Sequence, residues 1–140
     1  MKLPRVLFVC VGNACRSQMA EGFARTYGKD VMTPESAGVA PAMAVPSETR
    51  RTMEEKNIDV SGHSPKPVDI FPPGYFDIVV NLSGGPIPGF PSAIEWKVRD
   101  PIGGTAEEYR AVRDQIERLV MNLILELRRQ SKLVKSADRK

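Results

Sequence analysis

The apolar run Val6–Val11 leads into the segment Cys10-Val-Gly-Asn-Ala-Cys-Arg16, and apolar residues then recur at helical spacing as Met19, Ala20, Phe23, Ala24 and Tyr27, with Gly28 as the stop. A short continuous run rich in β-branched and aromatic residues reads as a strand buried on both faces. Such a strand needs a parallel sheet with helices packed on both sides, so this strand–loop–helix unit commits the chain to an α/β architecture. The remaining pattern agrees. A weaker strand is expected over Val31–Ser36, closing on Ser36-Ala-Gly38, and a helix over Pro46–Lys56 with Thr49, Met53 and Lys56 on one stripe. Phe76–Leu82 reads as a second strong buried strand and Ala93–Val98 as a fourth. In the last helix Tyr109, Val112, Ile116, Leu119, Val120, Leu123 and Leu127 share one face. Thr105 and Glu108 have the spacing of a capping box, two reciprocal bonds closing its first turn. Prolines at 65, 67, 72 and 73, and again at 86, 88 and 91, mark two loops. No repeat or linker interrupts the pattern, which predicts one domain over residues 1–130 and a basic tail over 131–140.

Charge narrows the partners. The chain has a net charge of +3, yet its last thirteen residues, RRQSKLVKSADRK, carry +5, so the body is slightly acidic. A nucleic-acid groove is therefore not expected, and the tail reads as a solvated helix end with a frayed terminus. No segment approaches the ~20 apolar residues of a membrane span, and Val6–Val11 is too short for a secretory leader. Two cysteines five residues apart do not make a disulfide framework, which predicts a reduced, cytoplasmic protein. Two cysteines and the single histidine, His63, also fall short of the four ligands of a structural zinc site. No metal or cofactor is expected.

Ligands of parallel sheets bind at the carboxyl ends of the strands. Cys10 stands at that end of the first strand, and the next helix opens near Arg16. The backbone N–H groups of Val11, Gly12, Asn13, Ala14, Cys15 and Arg16 can converge there on one anion, helped by the helix dipole. Gly12 and Asn13 tolerate the positive φ that such a nest requires. Arg16 adds a permanently charged, bidentate clamp. The same field favours the thiolate form of Cys10, and a thiolate beneath a bound tetrahedral oxyanion is arranged for nucleophilic attack.

CVGNACRSQMAEG at 10–22, Ser36-Ala-Gly38 and Arg99-Asp-Pro101 occur in one order along the chain. Together they resemble the low-molecular-weight protein tyrosine phosphatase superfamily, which includes thioredoxin-coupled arsenate reductases. The resemblance implies a single three-layer domain with a four-stranded parallel sheet of order 2-1-3-4. It implies Cys10 as nucleophile, Arg16 as binder of the transferring phosphoryl group, and Ser17 as hydrogen-bond partner of the thiolate. Asp100 would protonate the leaving oxygen and then activate water. Asn13, Ser36 and His63 would hold the phosphate loop in shape. An alkoxide or phenoxide leaves poorly without a proton, and an ordinary aspartate is ionised at neutral pH, so an acidic optimum is expected for hydrolysis.

Departures from the family pattern bear on the substrate. Phosphatases of the family usually have an aromatic wall after the second strand and another aromatic residue after the Asp-Pro. Here those places read VAPAMAVP and DPIGG, with Met43 and Ile102 the largest side chains. Thioredoxin-coupled reductases need two cysteines after the third strand; this chain has NLSGGPIPGFP, with Ser83 near the first position. An internal disulfide relay through that loop is excluded. Phosphomonoester hydrolysis through a phosphocysteine is thus expected first, because it needs only Cys10, Arg16, Ser17 and Asp100. Arsenate reduction with an external thiol of glutathione, mycothiol or glutaredoxin type is the alternative, and an oxyanion-binding sensor without turnover is the third reading. Cys15 reads either as a redox-protective partner of Cys10 or as a small buried residue shaping the loop. Some reductases of the family bind potassium through residues matching Asn13, Glu21 and Ser36 and a further acidic residue. Lys66 stands near that last position, and its ammonium is expected to stand in for the ion.

Overall fold

The computed structural model describes residues 2–90 and 92–138, so Pro91 of the second proline loop and the last two residues of the basic tail lie outside the described residues. The elements are β1 (Arg5–Cys10), α1 (Arg16–Tyr27), β2 (Thr33–Gly38), α2 (Ser47–Glu54), a single 3-10 turn over Val68–Ile70, β3 (Ile78–Asn81), β4 (Ile94–Glu95) and α3 (Ala106–Asp138). The sheet order is β2-β1-β3-β4 and every pair is parallel, as the resemblance implies. Because β1 is central, its last residues pair on both sides, Cys10 with Gly38 and Val9 with both Ala37 and Asn81.

Several boundaries differ from the sequence expectation. Val11 leaves the first strand, because the chain turns at Cys10. The second strand begins later than expected: Val31 and Met32 donate their N–H groups to Gly28 O, in the turn that ends α1. The fourth strand shrinks to Ile94–Glu95, an edge strand paired only with Val80 and Asn81. α3 runs through most of the basic tail as far as Asp138, with Leu133 and Val134 exposed. The capping box is half made. The Glu108 N–H donates to Thr105 Oγ1 at 3.2 Å, while the Glu108 carboxylate accepts from Arg99.

Alternation along β1 builds two cores. Val6, Phe8 and Cys10 face Met19, Phe23, Ile116, Val120 and Ile124, so α1 and α3 pack on one side, where α2 contributes Met53. Leu7 and Val9 face the other way, toward Ala37, Val68 and Ile87 with Phe71, Phe76 and Phe90 packed around them. Helices were expected on both faces. The structure covers this second face with the 3-10 turn and the two proline-rich loops, whose prolines disfavour a crossover helix.

α2 and α3 are joined by charge. Arg110 pairs with both Glu55 oxygens at 2.8–3.2 Å. The largely buried Arg113 donates to Thr52 O at 3.0 Å and to Glu55 Oε1 at 2.6 Å. Hydrogen bonds from Arg110 and Arg113 lower the Glu55 pKa from 4.5 to about 2. The folded-state value lies below the unfolded one, so this joint adds stability that is complete above the unfolded value and is lost as pH falls toward about 2. Glu55→Gln is expected to lower the urea midpoint at pH 7, with the difference from wild type shrinking through the acid window; an unchanged difference at low pH would remove Glu55 from the joint.

Candidate active site

The turn from Cys10 to Arg16 is shaped by what happens to its carbonyls. Cys10 O accepts from Val39 N at 3.1 Å, Val11 O from Ala40 N at 2.8 Å, and Gly12 O from Ala42 N at 2.9 Å. Asn13 O accepts from Gln18 Nε2 at 3.0 Å and Cys15 O from Met19 N at 2.9 Å. In a trans peptide the C=O and the following N–H point in opposite directions. Tying these carbonyls to the surrounding protein therefore turns the N–H groups of Val11, Gly12, Asn13, Ala14 and Arg16 the other way. Among the described residues none of these N–H groups donates to a protein acceptor. The result is a cluster of unspent donors at the start of α1, suited to an anion.

Close backbone approach makes this possible. A Cβ on Gly38 would stand 2.8 Å from Asn13 N, 2.8 Å from Val11 O and 2.9 Å from Gly12 C, all backbone atoms that cannot swing away. The expected positive φ occurs at Asn13 alone, at 50°, and not at Gly12, whose backbone is ordinary. Asn13 is held there from both ends of its amide: Nδ2 donates to Ser17 Oγ at 2.7 Å, and Oδ1 accepts from Lys66 N at 3.0 Å. Because the Ser17 oxygen accepts from Asn13, its own proton is free for Cys10 Sγ, 2.9 Å away. Cys10 is buried, at 3% exposure.

His63 and Ser36 support the loop less directly than the sequence implies. His63 Nδ1 lies 2.8 Å from Gln18 Oε1; since Gln18 Nε2 already donates to Asn13 O, Oε1 is the acceptor and Nδ1 carries the proton. Gln18 is thus the link that sequence reasoning missed, signalled only by a buried glutamine in the first turn of α1. Ser36 Oγ donates to Glu21 Oε1 at 2.5 Å, and Arg25 Nε donates to Glu21 Oε2 at 2.7 Å. Lys66 Nζ completes this corner, 4.0 Å from Glu21 and 3.6 Å from Glu35. Burial works against charge on Glu21, but hydrogen bonds from Ser36 and Arg25, with His63 and Lys66 nearby, outweigh it and hold the carboxyl below its usual range.

Arg16 joins the loop to the far side of the sheet. Its Nη1 donates to Leu82 O at 2.6 Å and to Val98 O at 3.0 Å, carbonyls that follow β3 and β4. Its Nη2 stands 3.6 Å from Asp100 Oδ2. Asp100 keeps 45% of its side chain exposed, and its other oxygen accepts from Ile102 N at 3.1 Å, a local turn. Cys15 is buried in the main core, and burial pushes its thiol up to about 12 despite a lowering contact with Thr49. It is therefore a protonated, unreactive thiol at neutral pH. Exposed aliphatic side chains lie along the segments that border the loop: Val11, Val39, the fully exposed Met43, and Ile102. After β3, Ser83 Oγ is bonded to Asn81 Oδ1 at 2.6 Å. No group of three His, Cys, Asp or Glu side chains that could hold a metal ion occurs among the described residues. Gly38→Ala is expected to cost about 1–3 kcal/mol of stability by overpacking and to weaken phosphate binding by calorimetry, whereas Gly12→Ala should leave the melting temperature near wild type.

Comparison with known proteins places this geometry. Residues 5–133 match the family described as low molecular weight phosphotyrosine protein phosphatase. The chain is 36% identical over 131 residues to a glutaredoxin arsenate reductase of Synechocystis sp., covering 89% of this chain and 99% of that protein. A solved arsenate reductase in the phosphate binding state superposes with a TM-score of 0.82 at 36% identity, covering 89% of this chain and 99% of the other. The YwlE arginine phosphatase from Geobacillus stearothermophilus superposes at 0.77 with 26% identity, covering 94% and 96%. The chain belongs to the low molecular weight phosphotyrosine protein phosphatase family, on the branch that holds the arsenate reductases.

Proposed function

We propose that the chain hydrolyses phosphomonoesters through a phosphocysteine at Cys10, with Arg16, Ser17 and Asp100 as its partners and with no metal or cofactor. The observation that carries this reading is the run of hydrogen bonds joining Asn13 Nδ2, Ser17 Oγ and Cys10 Sγ, set beneath a cluster of unspent N–H donors, in which the Ser17 proton is free to face the sulfur. In the first step the Cys10 thiolate attacks phosphorus, an S–P bond forms, the P–O bond to the leaving group breaks, and Asp100 gives its proton to the departing oxygen. In the second, Asp100 takes a proton from water, the new O–P bond forms, and the S–P bond breaks to return the thiolate. The Ser17 hydroxyl stabilises that thiolate as leaving group. The N–H groups of Val11, Gly12, Asn13, Ala14, Cys15 and Arg16 hold the phosphoryl oxygens. Arg16 Nη1 is already committed to Leu82 O and Val98 O, which leaves Nε and Nη2 as the edge that spans two of those oxygens. Asn13, Ser36 and His63 act by keeping this loop in place.

The family and the named relatives support arsenate reduction equally. In that reading Cys10 sulfur bonds arsenic with loss of a hydroxide. An external thiolate then attacks the Cys10 sulfur, a mixed disulfide forms, and the S–As electron pair leaves with arsenic as arsenite. The reductant is a small thiol or redoxin in a reduced, cytoplasmic setting, because the loop after β3 carries no thiol and Cys15 is buried with its pKa near 12. What favours hydrolysis is that it needs no such second thiol. The aliphatic border of the loop suits a small oxyanion or an aliphatic ester better than an aryl ring.

Steady-state rates on p-nitrophenyl phosphate against pH test the choice. Cys10→Ser is expected to abolish turnover while phosphate still binds, and Asp100→Asn to cost on the order of 10²–10⁴ for poor leaving groups. A wild-type rate no higher than that of Cys10→Ser, beside arsenate reduction with added thiols, would replace the hydrolase reading with the reductase. Binding without either turnover would leave the sensor. We further propose that Lys66 supplies the positive charge at the Glu21–Glu35 corner. Exchange of potassium for sodium at fixed ionic strength should then leave the rate unchanged, and activation by potassium would refute it.

A further inference from the structure

The segment that carries Asp100 between β4 and α3 is tied down at several points. Val98 O accepts from Arg16 Nη1 at 3.0 Å. Asp100 Oδ1 accepts from Ile102 N at 3.1 Å, and Gly104 N donates to Pro101 O at 2.8 Å, closing a turn in which Gly103 has φ 83°. Two more ties come from α3, the first being Gln115 Nε2, which donates to Lys97 O at 2.9 Å. The Arg99 guanidinium donates to the carboxylate of Glu108, in the first turn of α3.

That carboxylate is not where helix capping would put it. In a full capping box it would return to the N–H of Thr105. Here the Glu108 N–H donates to Thr105 Oγ1 at 3.2 Å, and Glu108 Oε1 accepts a long bond from that same hydroxyl at 3.4 Å in place of the Thr105 N–H. The carboxylate leans over Gly104 instead: a Cβ there would lie 2.7 Å from Glu108 Oε2 and 2.9 Å from Pro101 O. Glu108 Oε2 thus lies over Gly104 and at the same time accepts from Arg99, the residue before Asp100, while Oε1 stays on Thr105 Oγ1. The Arg99 side chain is 71% exposed, and a pair so wet adds little to global stability. Its effect falls on where Asp100 stands. Arg16 holds the inner shoulder of the same segment at Val98 O and faces Asp100 Oδ2 at 3.6 Å, so Asp100 sits between one tie anchored on α1 and another on α3.

We propose that Glu108, acting through Arg99, is a positioning residue for Asp100 as general acid. The assignment rests on the hydrolase reading. It gives a purpose to a capping glutamate whose Oε2 turns to Arg99 and not to the Thr105 N–H, and to a glycine at 104 that no positive φ requires.

The test compares dinitrophenyl phosphate, whose leaving group needs no proton, with phenyl phosphate, whose leaving group does. The measure compared is kcat/KM, which reports the acid-assisted first step and not the hydrolysis of the phosphocysteine that both substrates share: in Glu108→Gln it is expected to fall about 5- to 20-fold for phenyl phosphate, the scale of a small misplacement of a catalytic group, and to stay within about 2-fold of wild type for dinitrophenyl phosphate. The melting temperature should move by less than about 5 °C. Arg99→Gln should show the same selective loss. Adding Glu108→Gln to Asp100→Asn should slow phenyl phosphate no further, since no acid is left to position. If Glu108→Gln slows both substrates alike, or neither, while Asp100→Asn remains selective, the positioning role is refuted and the hydrolase reading stands. If Asp100→Asn is itself unselective, the acid role of Asp100 fails and takes this assignment with it.

Discussion

Everything in the site depends on the outward tethering of a few carbonyls between β1 and α1. The chain leaving β2 supplies the N–H groups of Val39, Ala40 and Ala42, which take up the carbonyls of Cys10, Val11 and Gly12. Planarity of the peptide then obliges the N–H groups to turn inward. That segment can approach only because position 38 has no side chain. The chemistry of an anion nest thus reduces here to a packing condition at one glycine, met where β2 and β1 end side by side at Gly38 and Cys10.

Strand order supplies the other half. With β1 between β2 and β3, the loop has Gly38 on one flank and Leu82 on the other, and Arg16 spans from the start of α1 to the carbonyls that follow β3 and β4. A guanidinium anchored at two fixed acceptors loses little freedom when an anion arrives, which is the sense in which it is preorganised. The same anchoring brings it to Asp100, 84 residues away in the chain yet 3.6 Å away in space.

Charge beneath the loop is balanced rather than absent. Glu21 is nearly buried, and it survives as a carboxylate because Ser36, Arg25, His63 and Lys66 surround it. Through Gln18 and His63 on one side, and the Lys66 backbone on the other, this corner meets Asn13, the one loop residue with positive φ. Cys15 belongs to the apolar side of the same turn, where burial keeps it protonated. Two cysteines five residues apart therefore share one buried core but differ in their partners: Cys10 Sγ meets Ser17 Oγ, while Cys15 is held protonated by desolvation.

Much of this was legible from residue types and spacing. The buried central strand, the loop from Cys10 to Arg16 and the long amphipathic α3 were determined by sequence alone, because periodicity and turn chemistry act locally. Family resemblance added the sheet order, which the structure shows, and the roles proposed for Ser17 and Asp100. Tertiary structure decided the rest. The second strand slid toward Gly38 because Gly28 O captured the N–H groups of Val31 and Met32, a competition no local pattern displays. The second sheet face acquired loops in place of a helix, and Gln18 entered between His63 and the phosphate loop. Glu108 Oε2 turned to Arg99 and not to the Thr105 N–H, since a carboxylate oxygen goes to a full positive charge within reach, and which charges come within reach is set only when the chain has folded.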